Sequence, residues 1–448
     1  MDIRAFVPFM VLLAGGYFAA RIGVCLIKTQ KSLNAKAIRV TKNGFSTLTL
    51  AFAGTLGVGN IFGVATALIF GGVGSIFWLL VSAFFSGVIK YAEVSLTLSY
   101  GKRGGVIYAI SKSFGMAGGA LSSIYAACAL MLGVVMGFAL QGGSVCESVY
   151  VGFGIPRGII AALLAAVSAF AVADGKEKIK GVTAAILPMT TIIYIIMTLY
   201  IVCLNVDRIP NVWCRIVSDA FNVKSTLGGV VGFFTLKCVK EGFCGGILSN
   251  EAGAGTSSFA HSTDGGVGAV GGVLEVLFDT VILCMLTAFS ILVCVPEPSI
   301  FDSGIELVIH TVYYVFGGGG IGVLCFISAA FAVCTVVCWY YYCSECSRKL
   351  FKRDCGRLLI YIMSASIFLG AYAGTEYLVF LSHILLTVLS VISLSTLVKN
   401  SDRVLSYTLS ERKPLTKGVF LNSRLHRARR ASKEPRGYRI PSFLHLRK

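Results

Sequence analysis

The stretch Ala53-Gly-Thr-Leu-Gly-Val-Gly-Asn-Ile-Phe-Gly63 decides the fold. It sets four glycines and an asparagine inside a segment that is otherwise apolar from about residue 46 to 71, long enough to cross a bilayer. A glycine costs roughly 1 kcal/mol relative to alanine in a helix. Unpaired backbone groups are expensive in hydrocarbon, so a break here is tolerable only where the backbone faces protein or a wet cavity. Broken membrane helices of this kind build solute and ion sites near the bilayer midplane. A helix whose glycines merely allow close packing against its neighbours is the alternative.

Composition sets the class around that segment. The chain has 448 residues, 56% of them hydrophobic and 13% charged, with a mean hydropathy of +0.81. So much apolar surface exceeds what a soluble core hides and marks a polytopic membrane protein. The first apolar run lacks a small-residue cleavage site before the charged stretch Lys28 to Lys42, so it reads as a retained span. The 15 cysteines lie mostly singly in apolar segments, where a thiol behaves as a small hydrophobe. Their spacing suggests no metal site or disulfide frame.

Apolar runs of about 20 residues give roughly eleven spans: 6–27, 46–71, 74–99, 121–145, 157–174, 182–204, 226–262 (interrupted), 272–295, 319–343, 357–374 and 377–398. Lys28, Lys31, Lys36, Arg39, Lys42, Lys102, Arg103, Lys112, Lys176, Lys178, Lys180, Arg348, Lys349, Lys352, Arg353 and Arg357 fall on one side of this topology. The other side holds Arg4, Arg157, Arg208, Arg215 and Lys224. The positive-inside rule makes the first side cytoplasmic, with the N-terminus outside and the C-terminus inside. From 399 to 448 the chain turns basic, with Arg424, Arg427, Arg429, Arg430, Lys433, Arg436 and Arg439 in one run. It reads as a disordered cytoplasmic tail, either a plain positive-inside anchor or a binder of anionic lipid headgroups. Aromatic stacking residues are not organised there, so nucleic acid is not an expected partner.

A second interrupted span reads Val239-Lys-Glu-Gly-Phe-Cys-Gly-Gly-Ile-Leu-Ser-Asn-Glu-Ala-Gly-Ala-Gly-Thr-Ser-Ser258. It lies five spans after the first. Five is odd, so the two broken helices enter the membrane in opposite directions. That is the layout of an inverted repeat, 46–204 against 226–398, preceded by one extra helix at 6–27. The expected fold is therefore an all-α polytopic membrane protein with a transmembrane domain over 1–398.

Several motifs carry a family resemblance. Gly54-Thr-Leu-Gly-Val-Gly-Asn60-Ile-Phe-Gly-Val-Ala, Gly71-Gly-Val-Gly-Ser-Ile-Phe-Trp78 and Lys90-Tyr-Ala-Glu93 resemble the alanine or glycine:cation symporter family. So do Gly246-Ile-Leu-Ser-Asn-Glu-Ala-Gly253, Ala260-His261, Asp279-Thr280, Cys284, Thr287-Ala288 and Trp339-Tyr-Tyr-Tyr, in order over about residues 10 to 345. The resemblance implies a sodium-coupled importer of small amino acids in the bacterial inner membrane, with the leucine-transporter-type five-plus-five fold. Sodium is then the coupling ion, and no other cofactor is expected.

Site residues follow from chemistry and resemblance together. Exposed N–H groups of Val58 and Gly59 at the first bend, beside Thr55, suit a substrate carboxylate, aided by the positive end of a half-helix. Asn60, the carbonyls near Ala53 and Leu56, and Thr335 are the expected sodium ligands, because amide, carbonyl and hydroxyl oxygens replace a hard ion's water shell. For Asn60, a helix–helix hydrogen bond is the plainer alternative. Thr335 and Trp339 are four apart and share a helical face. The resemblance implies that they line the ion and substrate sites, that Gln141 lies near the substrate, and that Phe243 and Ile247 wall the pocket. Such a lining favours alanine-sized or glycine-sized ligands, whereas taken singly Phe243, Ile247 and Trp339 read as ordinary packing.

Charges inside spans need partners. Lys90 with Glu93 and Lys237 with Glu241 are spaced to pair along one helix, for Lys90 and Glu93 a plainer reading than the alternative of a proton relay, while Glu251 and Asp279 lack an obvious local partner and read as gating or ion-network candidates. Three departures from the family pattern stand out: Gly245 where an arginine is usual, Cys338 for a glycine, and a last span without the family's polar ending. They keep open a transport-deficient member that senses an amino acid or acts as a scaffold. An enzyme is the poorer reading, since His261, His310, His383, His426 and His445 form no zinc or nucleophile–base motif.

Overall fold

In hydrocarbon every backbone N–H and C=O must be satisfied within its own segment, so apolar runs of bilayer length fold as helices. The computed structural model describes residues 3–28, 42–101, 105–221, 237–262 and 267–411, and among them all regular structure is helical. Met1–Leu405 form one compact unit. Beyond it, the described chain is the end of a final helix.

The elements are α1 (Ile3–Lys28), α2 (Lys42–Thr55), α3 (Phe62–Gly71), α4 (Ser75–Tyr100), α5 (Gly105–Ser113), α6 (Ala117–Phe153), α7 (Arg157–Val172) and α8 (Lys176–Leu204). Then follow α9 (Ile209–Phe221), α10 (Lys237–Asn250), α11 (Ser257–His261), α12 (Val270–Cys294), α13 (Gly304–Phe351), α14 (Gly356–Gly370), α15 (Thr375–Lys399) and α16 (Ser401–Glu411). Seven of them hold a run long and apolar enough to cross a membrane. The shorter α7 and α14 and the two broken spans, α2–α3 and α10–α11, bring the described spans to eleven. Phe84, Leu163, Phe170, Ile196 and Phe326 expose large apolar side chains along these helices, the surface of a protein solvated by lipid.

Both sequence-marked breaks are present. Between α2 and α3 the chain runs through a single 3-10 turn at Val58–Asn60. Between α10 and α11 it turns through residues 251–256, with Glu251 held at φ 52. The five-plus-five order follows: α2–α3, α4, α6, α7 and α8, then α10–α11, α12, α13, α14 and α15. Short helix α5 ahead of α6 is echoed by the first part of α13, which bends at Gly317, a left-handed position (φ 63) suited to glycine.

Boundaries differ from the hydropathy reading in places. The fourth span is longer than 121–145, because α6 runs unbroken from Ala117 to Phe153 through widened π turns at Gly133–Leu140. The ninth extends to Gly304–Phe351. Tail residues 401–411 are helical, and near their start Arg21 bonds Ser401 Oγ at 2.6 Å and Asp402 Oδ1 at 2.7 Å. The basic run from Arg424, Lys31, Lys36, Arg39, Lys102, Arg103, Lys224 and residues 226–236 of the seventh span lie outside the described residues.

Glycines set how closely helices meet around the breaks. A Cβ on Gly137 would lie 2.4 Å from Trp339 Cγ, and one on Gly246 would clash with Ser82. Thus α6 accepts the Trp339 indole of α13 in a notch, and α10 packs tightly along α4.

Candidate functional site

Cutting a helix frees backbone groups, and at the first bend the freed groups meet side chains from two distant helices. The Val58 N–H donates to Gln141 Oε1 at 3.2 Å. The single Thr335 hydroxyl proton is shared between the Leu56 carbonyl at 3.2 Å and the Phe331 carbonyl at 3.0 Å. Gly57 lies between them: a Cβ there would be 2.9 Å from both Gln141 Oε1 and Thr335 Oγ1. Gln141 follows the π turns of α6, and its Nε2 reaches back to Met136 O at 3.4 Å. Widened turns of this kind recur where a helix carries function. Two positions after Gly57, Gly59 is exposed, and a Cβ there meets nothing within 4 Å. The bend therefore borders open space.

Asn60 closes the bend and ties it to the second half of the fold. Its Oδ1 accepts from the Gly57 N–H at 3.0 Å, and its Nδ2 donates to Asp279 Oδ1 at 2.6 Å. Asp279 lies in a second set of π turns, Leu277–Cys284, where Oδ2 accepts from Ser249 Oγ at 2.8 Å and from Thr280 Oγ1 at 3.0 Å. Thr280 in turn accepts from Asn250 Nδ2 at 2.8 Å. Ser249 and Asn250 are the last residues of α10, so this chain of bonds runs from the first bend to the second. Thr287 adds a bond to Asn60 O at 2.8 Å and meets the Tyr194 hydroxyl at 2.5 Å.

Of the residues singled out in the sequence, the structure brings Leu56, Val58, Gln141 and Thr335 together around Gly57. Ala53 is buried one turn before them, and Thr55 donates to Phe52 O at 3.3 Å. The Asn60 side chain faces Asp279 and Gly57 rather than Thr335. Trp339 is fully buried against Gly133 and Gly137, with its ring 5.6 Å from that of Tyr342. Phe243 and Ile247 are buried on α10, where Phe243 stacks on Trp78 at 6.1 Å. Gly245 faces Ala67 and Leu79 at 3.9 Å, and the Cys338 thiol donates to Leu50 O at 3.2 Å.

The charge pairings need correction. Lys90 pairs with Glu275 on α12 at 3.0 Å, not with Glu93, whose Oε1 accepts the Gly255 N–H at 2.9 Å. The turn of the chain at 251–256 presents N–H groups to α4, and Glu93 answers those while Lys90 reaches across to α12. Glu241 pairs with its neighbour Lys240 at 3.3 Å, not with Lys237. Glu251 and Asp279 do have partners, a Thr256 hydroxyl at 2.5 Å and the three donors above.

Ser249, Asn250 and Thr280 were legible only as members of motifs. Nothing in their spacing told that they join Asp279, and the π turns that aim Gln141 and Asp279 leave no mark in hydropathy.

With this geometry in hand, comparisons with known proteins converge. A profile described as the sodium:alanine symporter family matches residues 3–413. The sodium/alanine symporter AgcS of Methanococcus maripaludis is 30% identical over 396 residues, 82% of this chain and 86% of that one. The probable sodium/glutamine symporter GlnT of Bacillus subtilis is 27% identical over 358 residues, 74% of this chain and 72% of that one. Among solved structures, MhsT in complex with L-phenylalanine aligns with a TM-score of 0.61 at 14% identity, covering 82% of this chain and 91% of that one. At that identity the likeness is one of fold.

Proposed function

The chain belongs to the sodium:alanine symporter family, and from that premise we propose that it carries a small neutral amino acid, alanine or glycine, into the cell together with sodium. The observation that carries this reading is the meeting of the Leu56 carbonyl, the Thr335 hydroxyl and the Gln141 carboxamide at an open bend beside Gly59. Sodium takes the oxygen side of the bend, with Leu56, Thr335 and the Ala53 carbonyl as ligands. Asn60 shapes the site through Gly57, whose N–H its amide oxygen holds.

Gln141 Oε1 sits where a substrate carboxylate oxygen would be received. In the substrate-bound state the carboxylate takes over the Val58 N–H, joins the Gly59 N–H and leaves the Gln141 amide to bind it from the other side. Both N–H groups belong to the 3-10 turn that leads into the half-helix α3, whose dipole favours an anion. The amino acid's side chain then points toward Phe243, Ile247 and Trp339, whose bulk limits it to one or two carbons. The basic side of the topology is cytoplasmic, which sets the N-terminus outside, the C-terminus inside and the protein in the cell membrane.

The test is binding of labelled alanine to the purified protein in sodium or in potassium, with glycine and glutamine as competitors. Sodium-dependent binding displaced by glycine and poorly by glutamine is the expected result. Equal binding in both salts, or stronger displacement by glutamine, contradicts the assignment of ion or substrate.

A further inference from the structure

The second bend gathers ionisable groups that the sodium and substrate reading does not use. Lys90 and Glu93 reach it from α4, Glu251 from the bend itself, His261 from α11 and Glu275 from α12, each no more than 3% exposed. Glu275 is saturated. Its Oε2 accepts from Lys90 at 3.0 Å and from Ser257 at 2.7 Å, and its Oε1 lies 2.5 Å from His261 Nε2. Lys90 also donates to Ser257. One ammonium and one carboxylate thus balance each other.

Glu93 and Glu251 are in surplus. Each has one oxygen engaged, Glu93 Oε1 by the Gly255 N–H and Glu251 Oε2 by the Thr256 hydroxyl. The other oxygens, Glu93 Oε2 and Glu251 Oε1, are buried and make no hydrogen bond of full geometry; the further donors beside the two carboxylates are the neutral Gly253 N–H for Glu93 and the neutral Trp339 indole N–H for Glu251. His261 is committed to Glu275 through Nε2, and its Nδ1 is buried without a partner. The remaining groups facing the cluster are uncharged: Tyr125, whose hydroxyl donates to Ala254 O at 2.6 Å, and Cys338, Trp339, Tyr342 and Cys346 on α13. The Trp339 indole N–H is buried beside Glu251.

Two buried carboxylates without a cation are not left ionised in a low-dielectric interior; they are neutralised. Among the described residues no three acidic, histidine or cysteine side chains converge here as a metal site. A proton needs a single oxygen. Glu251 also occupies a left-handed backbone position that glycines fill at 253 and 255, strain of the kind kept where a side chain has a task.

We propose that Glu93 and Glu251 form a proton-binding site at the second bend, separate from the sodium site, which holds at least one proton while the bend is closed. Binding forms one carboxyl O–H bond with a proton drawn from water and raises the charge of the cluster by one. The donors that fix the two carboxylates, Gly255 N–H and Thr256 Oγ1, are part of the break itself. Movement of α11 withdraws both, admits water, re-solvates the anions and releases the proton, so the site exchanges its proton as the broken helix moves.

Infrared spectroscopy of the full-length protein in nanodiscs at neutral pH tests this without any substrate, so its outcome is independent of the symporter reading. The expected result is a C=O stretch of a protonated carboxyl, shifted in D2O, that is lost or halved in Glu93→Gln or Glu251→Gln and kept in Asp279→Asn. Absence of the band in the unaltered protein overturns the proposal whether or not the variants fold. So does a band that survives both glutamine substitutions, or one that disappears with Asp279→Asn alone.

Discussion

Asn60 and Asp279, 219 residues apart in sequence, are joined by a 2.6 Å hydrogen bond that links the first bend to the helix packed beside the second. Asp279 receives two further donors, Ser249 and Thr280, so it acts as the clasp between the halves. Asp279→Ala takes the carboxylate from three donors, of which Asn60 keeps the Asp279 carbonyl at 3.2 Å, half-buried Ser249 can turn to water and buried Thr280 loses its acceptor, at roughly 1–3 kcal/mol for each buried donor left unpaired. A large drop in thermal unfolding temperature is expected, with most of it recovered in Asp279→Asn, which keeps an acceptor oxygen. Equal stability of Asp279→Ala and the parent protein would show that the clasp carries no load.

Neighbouring glycines at the bend have opposite surroundings, which makes a paired prediction. Gly57→Ala drives a methyl to 2.9 Å from Gln141 and Thr335, whereas Gly59→Ala meets nothing within 4 Å. Gly57→Ala should abolish alanine binding, while Gly59→Ala should fold normally and discriminate more strongly against larger amino acids. Each methylene is worth about 1–3 kcal/mol in such a pocket. Competition binding with a series of lengthening side chains checks both, and equal behaviour of the two variants would move the substrate away from the bend.

Thr335→Val keeps the shape of the side chain and removes the hydroxyl beside the Leu56 carbonyl. Loss of one oxygen ligand worth about 0.5–1.5 kcal/mol should raise the sodium concentration for half-maximal alanine binding by roughly two- to tenfold. An unchanged sodium titration would remove Thr335 from the ion site.

The native cysteines report on orientation. Cys214, exposed on α9, and Cys355, half-buried before α14, lie at opposite ends of the spans if the basic side is cytoplasmic. A membrane-impermeant maleimide applied to intact cells should label Cys214 and reach Cys355 only after permeabilisation, with Cys→Ser variants identifying each. Labelling in the reverse order would invert the topology.

The two breaks and most spans were legible because glycine runs inside apolar segments conflict with helix propensity and have to mean something. The pairing of Lys90 was not. Spacing along one helix suggested Glu93, three residues on, but the partner that binds it is Glu275, 185 residues away. Periodicity reports which residues share a helix face and says nothing about which faces meet. The roles of Gln141 and Asp279 were half legible for a related reason: their residue types suggested a site, and the π turns that aim them appear only in the folded backbone.

Coupled transport is read most directly from uptake of labelled alanine into liposomes containing the purified protein. Under an inward sodium gradient, alanine should accumulate above its external concentration, and collapsing that gradient with a sodium ionophore should release it. Alanine that binds the protein but never accumulates, or accumulation that ignores the sodium gradient, would rule out sodium-coupled transport.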